Sequence, residues 1–109
     1  MNKTPVRLLV VDDDPVTLTL LNEGLSKEGY GVDTALGGEE AIAKGMDQLF
    51  DVVITDVKMG DKDGMEVLRS FKKNAPDTTV IMITAFGSIE TAIEAIREGA
   101  FDYISKPFK

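Results

Sequence analysis

Five short apolar runs punctuate this sequence, and the stretches between them carry apolar residues at helical spacing. That alternation constrains the fold more than any other feature. Strands that alternate with helices build a parallel sheet covered by helices on both faces. The first run, Val6 to Val11, is almost continuously apolar and reads as a strand buried on both faces. It ends at Asp12-Asp13-Asp14-Pro15, where Asp14 suits a helix N-cap and Pro15 the first helical position. Val16 to Lys27 then carries a helical stripe through Leu18, Leu21 and Leu25, and Gly29 is placed to stop it. Tyr30 to Ala35 alternates more and reads as an edge strand. After Gly37-Gly38, Glu39 and Glu40 favour a helix N-terminus electrostatically. Ile42, Met46 and Leu49 are that helix's expected buried face.

The third run lies in Phe50 to Gly64, FDVVITDVKMGDKDG. Val52, Val53, Ile54 and Thr55 lead directly into Asp56, and an unpaired carboxylate at the end of a buried strand is costly. Asp56 therefore needs a chemical reason to be there. Asp63-Gly64 reads as a turn into a third helix marked by Met65, Leu68 and Phe71 and closed by Asn74 to Pro76. Thr79 to Thr84 is another strongly apolar strand. Ser88 suits a cap, and Ile89, Ala92, Ile93 and Ile96 fit the apolar template of a fourth helix that Gly99 ends. Phe101 to Ser105 is a last, half-polar strand before Lys106-Pro107-Phe108-Lys109. The first, third and fourth strands are the most apolar and should be central. That pattern fits a doubly wound, flavodoxin-like parallel five-stranded sheet in the order 2-1-3-4-5.

Composition removes several kinds of chemistry. The 109-residue chain suits one domain, and its 43% hydrophobic and 28% charged residues are those of an ordinary globular protein. A formal net charge of -7 argues against direct nucleic-acid binding, which needs clustered Lys and Arg. Cysteine and histidine are both absent, which leaves oxygen as the ligand for any metal and points to Mg²⁺, Mn²⁺ or Ca²⁺. No apolar run approaches the roughly 20 residues of a membrane span, and the N-terminus has no signal-peptide layout, so a cytoplasmic location is expected.

Ligands of open parallel sheets bind outside the carboxyl ends of the strands, where the strand order switches. In this chain those ends carry Asp12 and Asp13, Asp56, Thr84 and Lys106. If the first and third strands are neighbours, three carboxylates share one crevice and repel one another. A divalent cation relieves that conflict, and Mg²⁺ suits the site because it keeps waters for a phosphate to displace. Asp14 is explained by capping alone. Thr84 and Lys106 would each be unremarked singly, since threonine is common at strand ends and most lysines are solvated. Their coincidence at one rim is what favours a functional reading. Asp61-Lys62-Asp63-Gly64 is not a Ca²⁺ loop, because Met59 and Ser70 fall where the first ligand and the bidentate Glu belong. No glycine pattern matches a Walker or dinucleotide loop.

VVDDD (Val10 to Asp14), ITDVKM with the following DG (Ile54 to Met59, Asp63-Gly64), ITA (Ile83 to Ala85) and KPF (Lys106 to Phe108) resemble the signature blocks of response-regulator receiver domains of two-component signalling. The stretch TAFGSIETAIEAIREGAFDYISKPF is most similar to receivers of enhancer-binding sigma-factor activators. The resemblance implies a phosphoacceptor module rather than an enzyme. Asp56 would take a phosphoryl group from a sensor histidine kinase. Asp13 would bind Mg²⁺ directly and Asp12 mainly through water, with Asp56 and the Lys58 backbone carbonyl as further ligands. Thr84 would donate its hydroxyl, and Lys106 its ammonium, to phosphoryl oxygens. Lys106-Pro107 would be cis, and Tyr103 would be the switch aromatic paired with Thr84. A homodimer through the fourth helix and fifth strand is a further implication.

Two departures from the family pattern carry expectations. Gly60 stands where the family usually has Pro, which predicts a more mobile loop. The usual fifth helix is missing after KPF, so the expectation is a domain excerpt ahead of that helix and an output domain that regulates transcription. One sheet face should then be partly uncovered. Two rival functions remain at this point. A phosphatase using Asp56 as nucleophile suffers because Lys58 stands where its second acid belongs. A receiver-like interaction module that is never phosphorylated fits poorly with the intact Asp12, Asp13, Thr84 and Lys106.

Overall fold

The computed structural model describes residues 5–59, 63–84 and 89–105. It contains β1 (Arg7–Val11), α1 (Pro15–Lys27), β2 (Gly31–Ala35), α2 (Gly38–Asp47), β3 (Val52–Asp56), α3 (Gly64–Asn74), β4 (Thr79–Thr84), α4 (Ile89–Arg97) and β5 (Asp102–Ser105). All neighbouring strands pair in parallel, in the order β2-β1-β3-β4-β5. This is the doubly wound, flavodoxin-like sheet expected from the apolarity of the runs.

Local chemistry sets the boundaries. Asp14 caps α1 by accepting from the Val16 amide at 3.1 Å and the Thr17 hydroxyl at 2.8 Å, with Pro15 opening the helix. Gly29 and Gly99 follow α1 and α4 with φ of 97° and 107°, a conformation that glycine adopts without a Cβ clash. Asp63 caps α3 through the Glu66 amide at 3.1 Å.

Register assigns the two sheet faces. Leu9, Val11, Val53, Val80 and Met82 join Ala41, Met65, Leu68, Phe71 and Ala95 in the main core, on the side of α2, α3 and α4. Leu8 and Val10 are buried on the opposite face, together with Leu18 of α1. On that second face Val52, Ile54 and Ile81 are only half-buried, and α1 is its only helix among the described residues.

Two expected buried stripes are corrected. In α2, Met46 is 66% and Leu49, just beyond the helix, 81% exposed, while Ala41 is fully buried. The reason is close approach at Gly45, where a Cβ would lie 2.5 Å from Phe71 Cζ. The α3 ring occupies that space, so α2 docks along Ala41, Ile42 and Gly45 and turns its bulkier residues outward. In α4, Ile93 and Ile96 are 47% and 49% exposed, and among the described side chains of the helix the buried one is Ala95. Small residues again let the helix sit close to its neighbours.

At the outer edge of the sheet, Lys44 Nζ donates to the Thr34 carbonyl at 2.6 Å and to Asp33 Oδ1 at 2.9 Å. Glu40 lies 3.3 Å from the same ammonium. The hydrogen bond to Asp33 and then burial, which opposes it, act on Lys44; its pKa is raised.

Candidate functional site

The site lies at the carboxyl ends of β1, β3 and β4, where the chain leaves the sheet in two directions. β1 pairs with both β2 and β3, so this is the switch in strand order. Asp12 follows β1 directly. Its amide donates to the Ala35 carbonyl at 3.1 Å, which extends the β1–β2 ladder by one bond and fixes where the side chain departs. Asp12 is 4% exposed, and its Oδ1 accepts from the Asp14 amide at 3.0 Å. Asp13 is exposed and Asp56, the last residue of β3, is half-buried.

Carboxylate oxygens of Asp12, Asp13 and Asp56 all lie within 4.8 Å of one another. Three anions at that separation, one of them buried, fit a hard divalent cation with oxygen ligands. Lys58 keeps its backbone at the same rim, with its amide 3.4 Å from Asp56 Oδ1. Thr84 ends β4 and is fully buried, paired in register with Ser105. Lys106, which follows Ser105, lies outside the described residues, as do Gly60 and the Lys106-Pro107 bond.

Tyr103 pairs with Met82 in β5 and packs against the core. Its hydroxyl is buried and has no hydrogen-bond partner among the described residues. Burial, and then the nearby negative charge of Asp56, raise its pKa.

Sequence reasoning missed how tightly Gly64 is used. A Cβ there would overlap the Asp56 carbonyl oxygen and lie 2.9 Å from Val57 Cα. The Gly64 amide donates to the Val57 carbonyl at 2.7 Å, and the Thr55 hydroxyl donates to the Asp56 carbonyl at 3.0 Å. The first turn of α3 thus rests on the backbone that carries Asp56. The dipeptide Asp63-Gly64 signals a turn, but a contact eight residues back is not a local pattern.

Comparison with known proteins agrees with this fold. The family model described as the response regulator receiver domain matches residues 8–109. Over 107 residues the chain is 40% identical to the transcriptional regulatory protein ZraR of Salmonella typhimurium, covering 98% of this chain but only 24% of that protein. The beryllofluoride-activated NtrC4 receiver domain dimer matches with a TM-score of 0.89 and 43% identity, over 94% of this chain and 85% of that one. A response regulator from Burkholderia pseudomallei, with a phosphorylated aspartic acid, a calcium ion and citrate, matches with a TM-score of 0.91 and 30% identity. That match covers 95% of this chain and 61% of the other.

Proposed function

Because this chain belongs to the response regulator receiver domain family, we propose that it is a phosphorylation-switched module with Asp56 as the acceptor. The observation that carries the reading is the convergence of the Asp12, Asp13 and Asp56 carboxylates within 4.8 Å at the switch in strand order. Asp12, Asp13, Asp56 and the Lys58 carbonyl would hold Mg²⁺, which supplies charge neutralisation for the phosphoryl oxygens. The calcium ion in the Burkholderia pseudomallei protein is a cation of the same ligand preference.

Phosphoryl transfer asks little covalent work of the protein beyond position and charge. An Asp56 oxygen forms a bond to phosphorus. The bond from phosphorus to the imidazole nitrogen of a sensor kinase breaks, and its electron pair stays on that nitrogen. Thr84 donates its hydroxyl to one phosphoryl oxygen, and Lys106 its ammonium to another. The product carries roughly -1.5 to -2 charge where a single negative charge stood. That added charge draws Thr84 towards the site and changes the surroundings of Tyr103, whose hydroxyl lacks a partner among the described residues. A near-complete switch between two states requires about 5.5 kcal/mol of differential stabilisation.

The larger assembly is part of the same proposal. The module controls a transcriptional output domain in cis, in the cytoplasm, as the name of ZraR suggests for a protein of which this chain spans 24%. The half-buried face of Val52, Ile54 and Ile81 is where a further amphipathic helix would pack. Ile93, Ile96 and Phe101 offer an exposed apolar surface for a second copy, in keeping with the NtrC4 receiver dimer.

Intact-mass measurement after incubation with Mg²⁺ and acetyl phosphate tests the reading. The expected result is one phosphoryl adduct that disappears in Asp56→Asn and after chelation. Phosphate release without a lasting adduct would favour a phosphatase. No reaction would favour a module that acts without phosphate.

A further inference from the structure

β2 is an edge strand of the described sheet, bordered there by β1 alone. Sheet margins open locally more readily than central strands. The C-terminal end of β2, however, is held from both sides. Ala35 turns its carbonyl inward, where it accepts from the Asp12 amide at 3.1 Å. Thr34 turns its carbonyl to the free margin, where Lys44 Nζ donates to it at 2.6 Å. The same ammonium donates to Asp33 Oδ1 at 2.9 Å, and Gln48 Nε2 lies 3.4 Å from the other Asp33 oxygen. Glu40 continues the brace. Its Oε2 is 3.3 Å from Lys44 Nζ, and its Oε1 accepts from the Leu36 amide at 3.0 Å. Residues 33, 34 and 36 are thus each bound by side chains from α2 or its end, and Ala35 lies between them.

Ala35 matters because of what it holds. Asp12 is the buried member of the acidic cluster, whereas Asp13 is exposed. Asp12 Oδ1 accepts from the Asp14 amide, two residues on, so that bond moves with the turn between β1 and α1. The bond from the Asp12 amide to Ala35 ties the turn to a different strand. The lysine and glutamate contacts that steady Ala35 are charge-assisted, and such bonds are stronger than neutral ones.

We propose that Lys44 and Glu40 are positioning residues for the acidic centre, which hold Thr34 and Leu36 so that Ala35 fixes Asp12 and thereby sets the affinity for a divalent cation. The consequence for the cation rests on the metal-binding reading given above, but the brace itself does not. Neither side chain ligates the ion. They act through the backbone of β2.

Calorimetric titration with Mg²⁺ and amide exchange read by NMR test this. Lys44→Met keeps most of the stem and removes the ammonium. Removing a positive charge would by Coulomb attraction alone tighten a cation, so loss of charge and loss of position act in opposite directions. Lys44→Met should weaken Mg²⁺ binding several-fold. Glu40→Ala should bind Mg²⁺ several-fold more weakly than Glu40→Gln, a variant of equal charge that keeps an oxygen for the Leu36 amide. In the Mg²⁺-free protein, Lys44→Met should speed exchange of the Asp12 amide several-fold and leave the amides of α3 unchanged. Unchanged or tighter Mg²⁺ binding in Lys44→Met, equal affinities in the two Glu40 variants, or an unaltered Asp12 amide would overturn the proposal. A wild type that binds no Mg²⁺ would overturn the reading of the acidic centre and with it the consequence for the cation, and exchange at Asp12 would still decide the brace.

Discussion

α3 and α4 carry similar patterns of apolar and charged residues but are held by opposite means. α3 turns its bulk inward, burying Met65, Val67, Leu68 and Phe71. Among its described side chains, α4 turns Ile93 and Ile96 outward and buries Ala95. Helix stability in proteins comes mainly from packing of the apolar face. α3 is therefore a fixed part of the frame, and its first turn rests on the backbone of Asp56. Beyond the end of α4, Arg69 of α3 pairs with Glu98 through two nitrogens, and the Lys72 stem lies beside Gly99. The protein thus pairs a rigid support for its acidic centre with a lightly seated helix one strand away.

The largest expected effect lies on the rigid side. Leu68→Ala should lower unfolding free energy by about 2–5 kcal/mol in urea titrations, because the side chain is fully buried and α3 cannot collapse onto the gap. Gly64→Ala should follow at about 1–3 kcal/mol, since the new methyl group overlaps the Asp56 carbonyl and must push α3 or β3 aside. That variant should also weaken Mg²⁺ binding. Unchanged Mg²⁺ affinity would show that α3 does not set the position of Asp56.

Tyr103 probes the region between the two helices. With Tyr30 replaced by Phe, ultraviolet titration should place ionisation of the Tyr103 phenol above the ordinary value of 10.0, because burial and the Asp56 charge raise it. Asp56→Asn should bring it part of the way back. Stability linked to this group is complete below the unfolded value and falls as pH rises through the folded one. Ionisation at the ordinary value would mean that the hydroxyl is not buried. The smallest effect belongs to α4: Ile96→Ala should change stability by no more than about 0.5 kcal/mol. A loss comparable to that of Leu68→Ala would abolish the contrast between the helices.

Much of this was legible in the sequence, for physical reasons that differ by element. The strands were readable because a central parallel strand must be apolar on both faces, as Val6 to Val11 and Thr79 to Thr84 are. α3 was readable because the template for buried positions assumes large side chains, and Met65, Leu68 and Phe71 are large. The same template failed for α2 and α4, where close approach selects Ala41, Gly45 and Ala95 and leaves Met46, Ile93 and Ile96 outside. Asp12, Asp13 and Asp56 were readable as strand ends, and the structure brings them together. The seat of Gly64 on Asp56 and the fork between Arg69 and Glu98 were not readable. Both are pairings across the fold, and neither partner is unusual where it stands.

The Lys44 ammonium on the Thr34 carbonyl has a consequence beyond α2. Gly31 and Ala35 bond towards β1, so Thr34, of opposite parity, presents its carbonyl to the free side of β2. A foreign strand approaching that margin would have to displace a charged donor held also by Asp33 and Glu40. Unpaired sheet margins are where chains recruit one another into aggregates. This lysine closes one indiscriminate route of association at the sheet margin.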